Sequence, residues 1–141
     1  MHFAIFAVKP EVSVSYYYKV EMMKRFLLEC LRFPQSEVHQ KQLEYITDAF
    51  PYIDWLNQRK NMNVSEKNDR FVRFPFSDEE GNYGIIKYKN NSCFFQCSSL
   101  CQADRMIFQP LRMSHKSFYI LEKNGDHYGW ISSLARQRLL L

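Results

Sequence analysis

Cys93, Cys97 and Cys101 follow one another as C-x3-C-x3-C within "SCFFQCSSLC". Three thiols at short, regular spacing invite a metal ion or a cluster. The spacing matches none of the usual zinc pairs, however, and no CxxC accompanies it. The segment reads as a β-strand, where residues four apart share a face, so Cys93 and Cys97 fall on one side together with Phe95. Apolar company of that kind marks small core residues, and no metal is expected. Cys30, inside the helical run "FLLECLRF", reads likewise as a small core residue of a reduced protein. Acid–base and phosphate chemistry fare no better. The histidines His2, His39, His115 and His127 are scattered without an HExxH pair, as surface or turn histidines are. Asp78, Glu79 and Glu80 in "SDEEGN" read as a solvated turn between strands, not as an acid and a base. With only 4 glycines in 141 residues, neither a P-loop nor a dinucleotide fingerprint can be assembled. We therefore expect no enzyme, no cofactor and no small-molecule substrate.

Tyrosines in unusual places point to recognition instead. In "VHQKQLEYIT", at about 100° per residue, Leu43, Ile46 and Phe50 gather on one side of a helix with Thr47 and His39 beside them. Tyr45 lies on a different face, with Val38, Lys41, Gln42 and Ala49. A second group, Tyr16-Tyr17-Tyr18, stands at a helix start, and neighbours that diverge by about 100° cannot all point into one core. At least one of them is exposed. A surface tyrosine is common by itself. A tyrosine beside a glutamine also supplies a rigid apolar ring, a polar tip and adjustable amide contacts, the ingredients of a protein-binding face. Wheel geometry does not choose between the two.

The elements that must carry these residues follow from periodicity and breakers. Phe3 to Val8 form a short apolar strand stopped by Lys9-Pro10. Val20, Met23, Leu27, Cys30 and Leu31 recur at helical spacing, which predicts a long helix from about Ser15 to Phe33. Ser36 caps the next helix, which runs to Phe50 before Pro51. A shorter helix "YIDWLNQRK" and a polar loop "NMNVSEKND" come next. Strands "RFVRFPF", "YGIIKYK" and "SCFFQCS" then follow, with Asn90-Asn91 as a turn. A helix over Leu100 to Met113, kinked or cut short at Pro110, precedes a closing hairpin around Asn124-Gly125 and the tail "SLARQRLLL". The sum is α+β, in the order β-α-α-α-β-β-β-α-β-β. One domain over residues 1–141 holds a mostly antiparallel sheet of about five strands packed with three to four helices.

Bulk properties agree. Hydrophobic residues make up 46% and aromatics 16%, so the chain can bury a core and is not disordered by composition. The formal net charge of +4 is spread over Lys24-Arg25, Arg59-Lys60, Arg70, Arg73, Arg105, Arg112, Arg136 and Arg138 without a basic run. Such a balance permits nucleic acid without indicating it. A module binding nucleic acid through these scattered arginines is the alternative, and its affinity would fall steeply with salt. The start "MHFAIFAVKPEV" is too briefly apolar for a signal peptide or a membrane span. We expect a cytoplasmic protein with no membrane partner.

"KQLEYIT", followed by "NQRKNMN" and the closing "HYGWI", resembles the SirA family, the sporulation inhibitors of replication of endospore-forming bacteria. The likeness extends over nearly the whole chain in length and order of elements. It implies a small non-enzymatic protein that binds domain I, the N-terminal domain, of the replication initiator DnaA. Initiation is thereby held back once sporulation begins, and no direct nucleic-acid contact is implied. The family's binding surface carries over onto Gln42 and Tyr45 in "KQLEYIT" and onto Val12 and Tyr16 in "EVSVSYYY". Val12 stands where the family pattern has a phenylalanine, a smaller anchor that weakens that corner. Helical spacing also places Tyr16 in line with Val20, Met23 and Leu27, so either Tyr16 precedes the regular helix or its ring straddles core and surface.

Overall fold

A seven-residue run with almost no polar interruption, "HFAIFAV", suits a strand covered on both faces. In the computed structural model it is strand β1 (His2–Val8), buried at every position after His2. The structure describes residues 1–50, 66–67, 71–77, 83–89, 92–114 and 116–131, with side chains for 1–50, 92–114 and 116–131. The other strands are β2 (Glu66–Lys67), β3 (Phe71–Ser77), β4 (Tyr83–Lys89), β5 (Ser92–Gln96), β6 (Ser117–Glu122) and β7 (Tyr128–Ile131). They form one sheet in the order β2-β3-β4-β5-β1-β6-β7, every neighbouring pair antiparallel. The α+β class stands, but the described sheet has seven strands where about five were expected. Glu66 and Lys67, inside a stretch read as loop, pair with Val72 and Arg73 as a short edge strand. The expected helix over 52–60, the turn at 90–91, the acidic turn at 78–80 and the tail at 133–141 lie outside the described residues.

Because strand side chains alternate, β1 divides the interior into two cores. Phe3, Ile5 and Ala7 join Cys93, Phe95, Phe118 and Ile120 on one face. Ala4, Phe6 and Val8 join Tyr119 and Leu121 on the other. Helices cover both faces. The first core is closed by Ala103, Met106, Ile107, Phe108 and Leu111. These residues come from α4 (Leu100–Ala103), a π-helical turn (Asp104–Phe108) and α5 (Gln109–Arg112), which follow one another without a break. The widened turn sits just ahead of Pro110, which has no N–H to give to the preceding turn. The Gln109 amide donates to the Asp104 carbonyl five residues back. The Asp104 carboxylate accepts from Gln109 Nε2 at 3.0 Å and from Arg112 at 2.9 Å. The expected irregularity at Pro110 is thus a π turn before the proline, and the helix continues to Arg112.

The second core lies beneath α2 (Val20–Arg32) and α3 (Glu37–Ile46), which contribute Met23, Leu27, Leu43 and Ile46. Two boundaries differ from expectation. The long first helix is divided: α1 (Pro10–Tyr16) begins at the proline, which needs no intrahelical partner in a first turn, and Tyr17 to Lys19 separate it from α2. Helix α3 stops at Ile46 instead of Phe50, because Thr47 turns extended and bridges to Val8 of β1. Its start is as expected, with the Ser36 hydroxyl accepting from the His39 amide at 3.4 Å. The hairpin β6–β7 turns at Asn124-Gly125, Gly125 adopting φ 83°, and it is fixed to α2 by Tyr119 Oη donating to the Val20 carbonyl at 2.9 Å. The Tyr128 hydroxyl donates to Glu21 of the same helix. No helix among the described residues is long and apolar enough to cross a membrane.

Candidate functional site

The thiols do not form a reactive centre. Cys93 and Cys97 sit in the first core, whereas Cys101 is exposed on α4. Burial raises the Cys93 and Cys97 thiols above their ordinary range. Cys30 is pushed up to about 11, by burial first and then by the neighbouring Glu29 carboxylate. These three are neutral thiols near pH 7, poor nucleophiles and poor metal ligands. Among the described residues no three His, Cys, Asp or Glu side chains converge on a point that would hold an ion.

The backbone instead builds an apolar groove from segments distant in sequence. Where β1 ends, the Lys9 amide donates to the Ile46 carbonyl at 2.9 Å and the Asp48 amide donates to the Ala7 carbonyl at 2.8 Å. With the Val8–Thr47 bridge, these bonds tie the start of α1 to the end of α3. Residues four apart on α1 and three apart on α3 share a face of their helix. Val12 and Tyr16 from α1 therefore meet Gln42 and Tyr45 from α3 around a cavity of about 610 Å³, with Met22, Met23 and Phe26 of α2 as further lining. That volume lies within the range of about 300–1,000 Å³ usual for binding pockets. The four residues singled out in the sequence are thus brought together.

Each is placed for a reason. Tyr45 is 77% exposed, as its angle from the Leu43–Ile46 stripe requires. Tyr16 is 37% exposed; it closes α1 ahead of α2, so the conflict with the Val20–Met23–Leu27 stripe disappears. Val12 is half-buried against the second core and reaches only the groove wall. Of the tyrosine triplet, Tyr18 points outward at 78% exposure while Tyr17 stacks on Trp130 with ring centroids 6.4 Å apart. Trp130 lies in "HYGWI", so that stretch buttresses the α1–α2 turn. A lysine stands over each groove ring, Lys9 Nζ 5.3 Å from the Tyr45 centroid and Lys19 Nζ 5.3 Å from that of Tyr16.

Sequence reasoning missed the floor. Met22 and Phe26, one turn apart on α2, flank the core stripe Met23–Leu27, and Met22 is 53% exposed. An apolar stripe wider than one core needs was the available signal. A second, larger groove of about 830 Å³ between α2, α3 and β5 is lined in part by Arg32, Glu44 and Lys123. It holds none of the exposed large apolar side chains.

The chain is similar to known proteins along its length. A family profile described as "Sporulation inhibitor of replication protein SirA" matches residues 1–135. The protein described as "Sporulation inhibitor of replication protein SirA" from Bacillus subtilis (strain 168) is 22% identical over 147 aligned positions, covering 99% of this chain and 98% of that protein.

Proposed function

The chain belongs to the SirA family, and from that premise we propose that it restrains chromosome replication at sporulation by binding domain I of the initiator DnaA through the groove between α1 and α3. The observation that carries this reading is the meeting of Val12, Tyr16, Gln42 and Tyr45 on one apolar cavity. Exposed aromatic rings around a contiguous apolar hollow are what a modest protein interface uses as its centre. The protein acts in the cytoplasm as one domain, without cofactor or catalysis. Occupying domain I excludes the contacts by which initiator molecules meet one another or their helpers, and no bond is made or broken. Titration calorimetry of the full chain against purified domain I tests this. Saturable binding with one site per chain is expected, and no binding at about 100 µM, weaker than −5.5 kcal/mol, refutes it.

A further inference from the structure

Lys9 and Lys19 hold their positions through the backbone that also carries the two groove tyrosines. The Lys9 amide is bonded to Ile46, the residue after Tyr45, and the Lys19 amide donates to the Tyr16 carbonyl at 2.9 Å. Each ammonium stands 5.3 Å from the centroid of the neighbouring phenol ring. Neither has a carboxylate within ion-pair reach among the described residues, and the groove lining contains none. Among the carboxylates of the surrounding helices, Glu37 holds Lys41 at 3.1 Å, Glu29 faces His39 and Glu21 takes the Tyr128 hydroxyl. Glu11 of α1 and Glu44 of α3 lie outside the groove lining, Glu44 on the neighbouring groove. The groove therefore presents an apolar floor of Met22, Met23 and Phe26, no carboxylate in its lining, and an ammonium over each of its two phenol rings.

Resting on the reading of this groove as the binding site, we infer that Lys9 and Lys19 belong to the recognition surface. The protein that docks here offers an apolar side chain to the cavity and carboxylates to the rim. The lysines act in two ways. In the free chain each ammonium attracts the face of its ring and restricts the ring's motion, so less freedom is lost when the partner arrives. In the encounter, two cations with no ion-pair partner among the described residues draw an acidic surface into register and disfavour a basic one.

The test is the association kinetics of the full chain with DnaA domain I across salt, from low ionic strength to about 0.5 M, where charges are screened within a few ångströms. Lys9→Gln, Lys19→Gln and the double variant keep a polar stem and remove the charge. Circular dichroism and a thermal melt confirm the fold. The double variant is expected to associate at least about threefold more slowly at low salt, with a flatter salt dependence. Rates and salt dependence equal to the wild type overturn the inference. A Tyr45→Ala arm separates the two levels. If Tyr45→Ala loses binding while the lysine variants keep wild-type kinetics, the groove stands and the role of the lysines falls. If Tyr45→Ala binds as the wild type does, the groove assignment itself falls.

Discussion

In a Tyr45→Ala variant the groove loses its most exposed ring while the interior is left whole. Tyr45 is 77% exposed in the free chain and contributes to neither core. What folding loses is the contact under Lys9, about 0.5–1 kcal/mol for an exposed cation–π pair. At about 2–4 °C per kcal/mol for a chain of this size, the melting temperature should fall by no more than a few degrees. Binding loses far more. A tyrosine that becomes covered at the centre of an interface typically costs about 2 kcal/mol or more when truncated, about 30-fold in Kd. The two numbers differ because the ring is wet in the free protein and dry only in the complex. Calorimetric titration against domain I, paired with a thermal melt of each chain, measures both. An affinity within about twofold of wild type refutes the reasoning. So does a loss of stability of about 3 kcal/mol, since that would mean the ring is a core residue.

Other outcomes follow from the same geometry. Val12→Phe extends an apolar side chain from the groove wall, and we expect domain I to bind severalfold more tightly; unchanged or weaker binding by calorimetry contradicts that. Leu27 is fully buried beneath α2, so Leu27→Ala should cost about 2–5 kcal/mol in urea unfolding. Alkaline pH should destabilise the fold. Burial holds Cys30, Cys93 and Cys97 above the ordinary thiol value of 9.0 and Tyr119 above the ordinary phenol value of 10.0. The unfolded chain thus releases these protons first. The stability they contribute is whole below pH 9.0 and is lost as pH rises through the folded values, about 11 for Cys30. A melting temperature that stays flat from pH 8 to 11 refutes this.

Local pattern made much of the architecture legible. The unbroken apolar run of β1, the stripe Met23–Leu27–Cys30 on α2, the Ser36 cap and the Asn124-Gly125 turn each arise from interactions within a few residues. Such features read directly from order and spacing. The errors fall where a distant partner decides. Thr47 leaves the helix because Val8 offers a bridge, and Glu66–Lys67 becomes strand because β3 presents an open edge. Propensity in either segment carries no trace of those partners.

By its own order of residues the chain determines that Tyr45 leaves the core stripe, that three successive tyrosines cannot all be buried, and that thiol chemistry lacks its spacing. These follow from the fixed turn of a helix and the alternation of a strand. Tertiary structure alone decides that Tyr16 and Tyr45 face one hollow, that Met22 and Phe26 line it, and that a lysine stands over each ring. That decision is made by hydrogen bonds from Lys9 to Ile46 and from Asp48 to Ala7. They join segments some forty residues apart, a separation across which no periodicity can carry information.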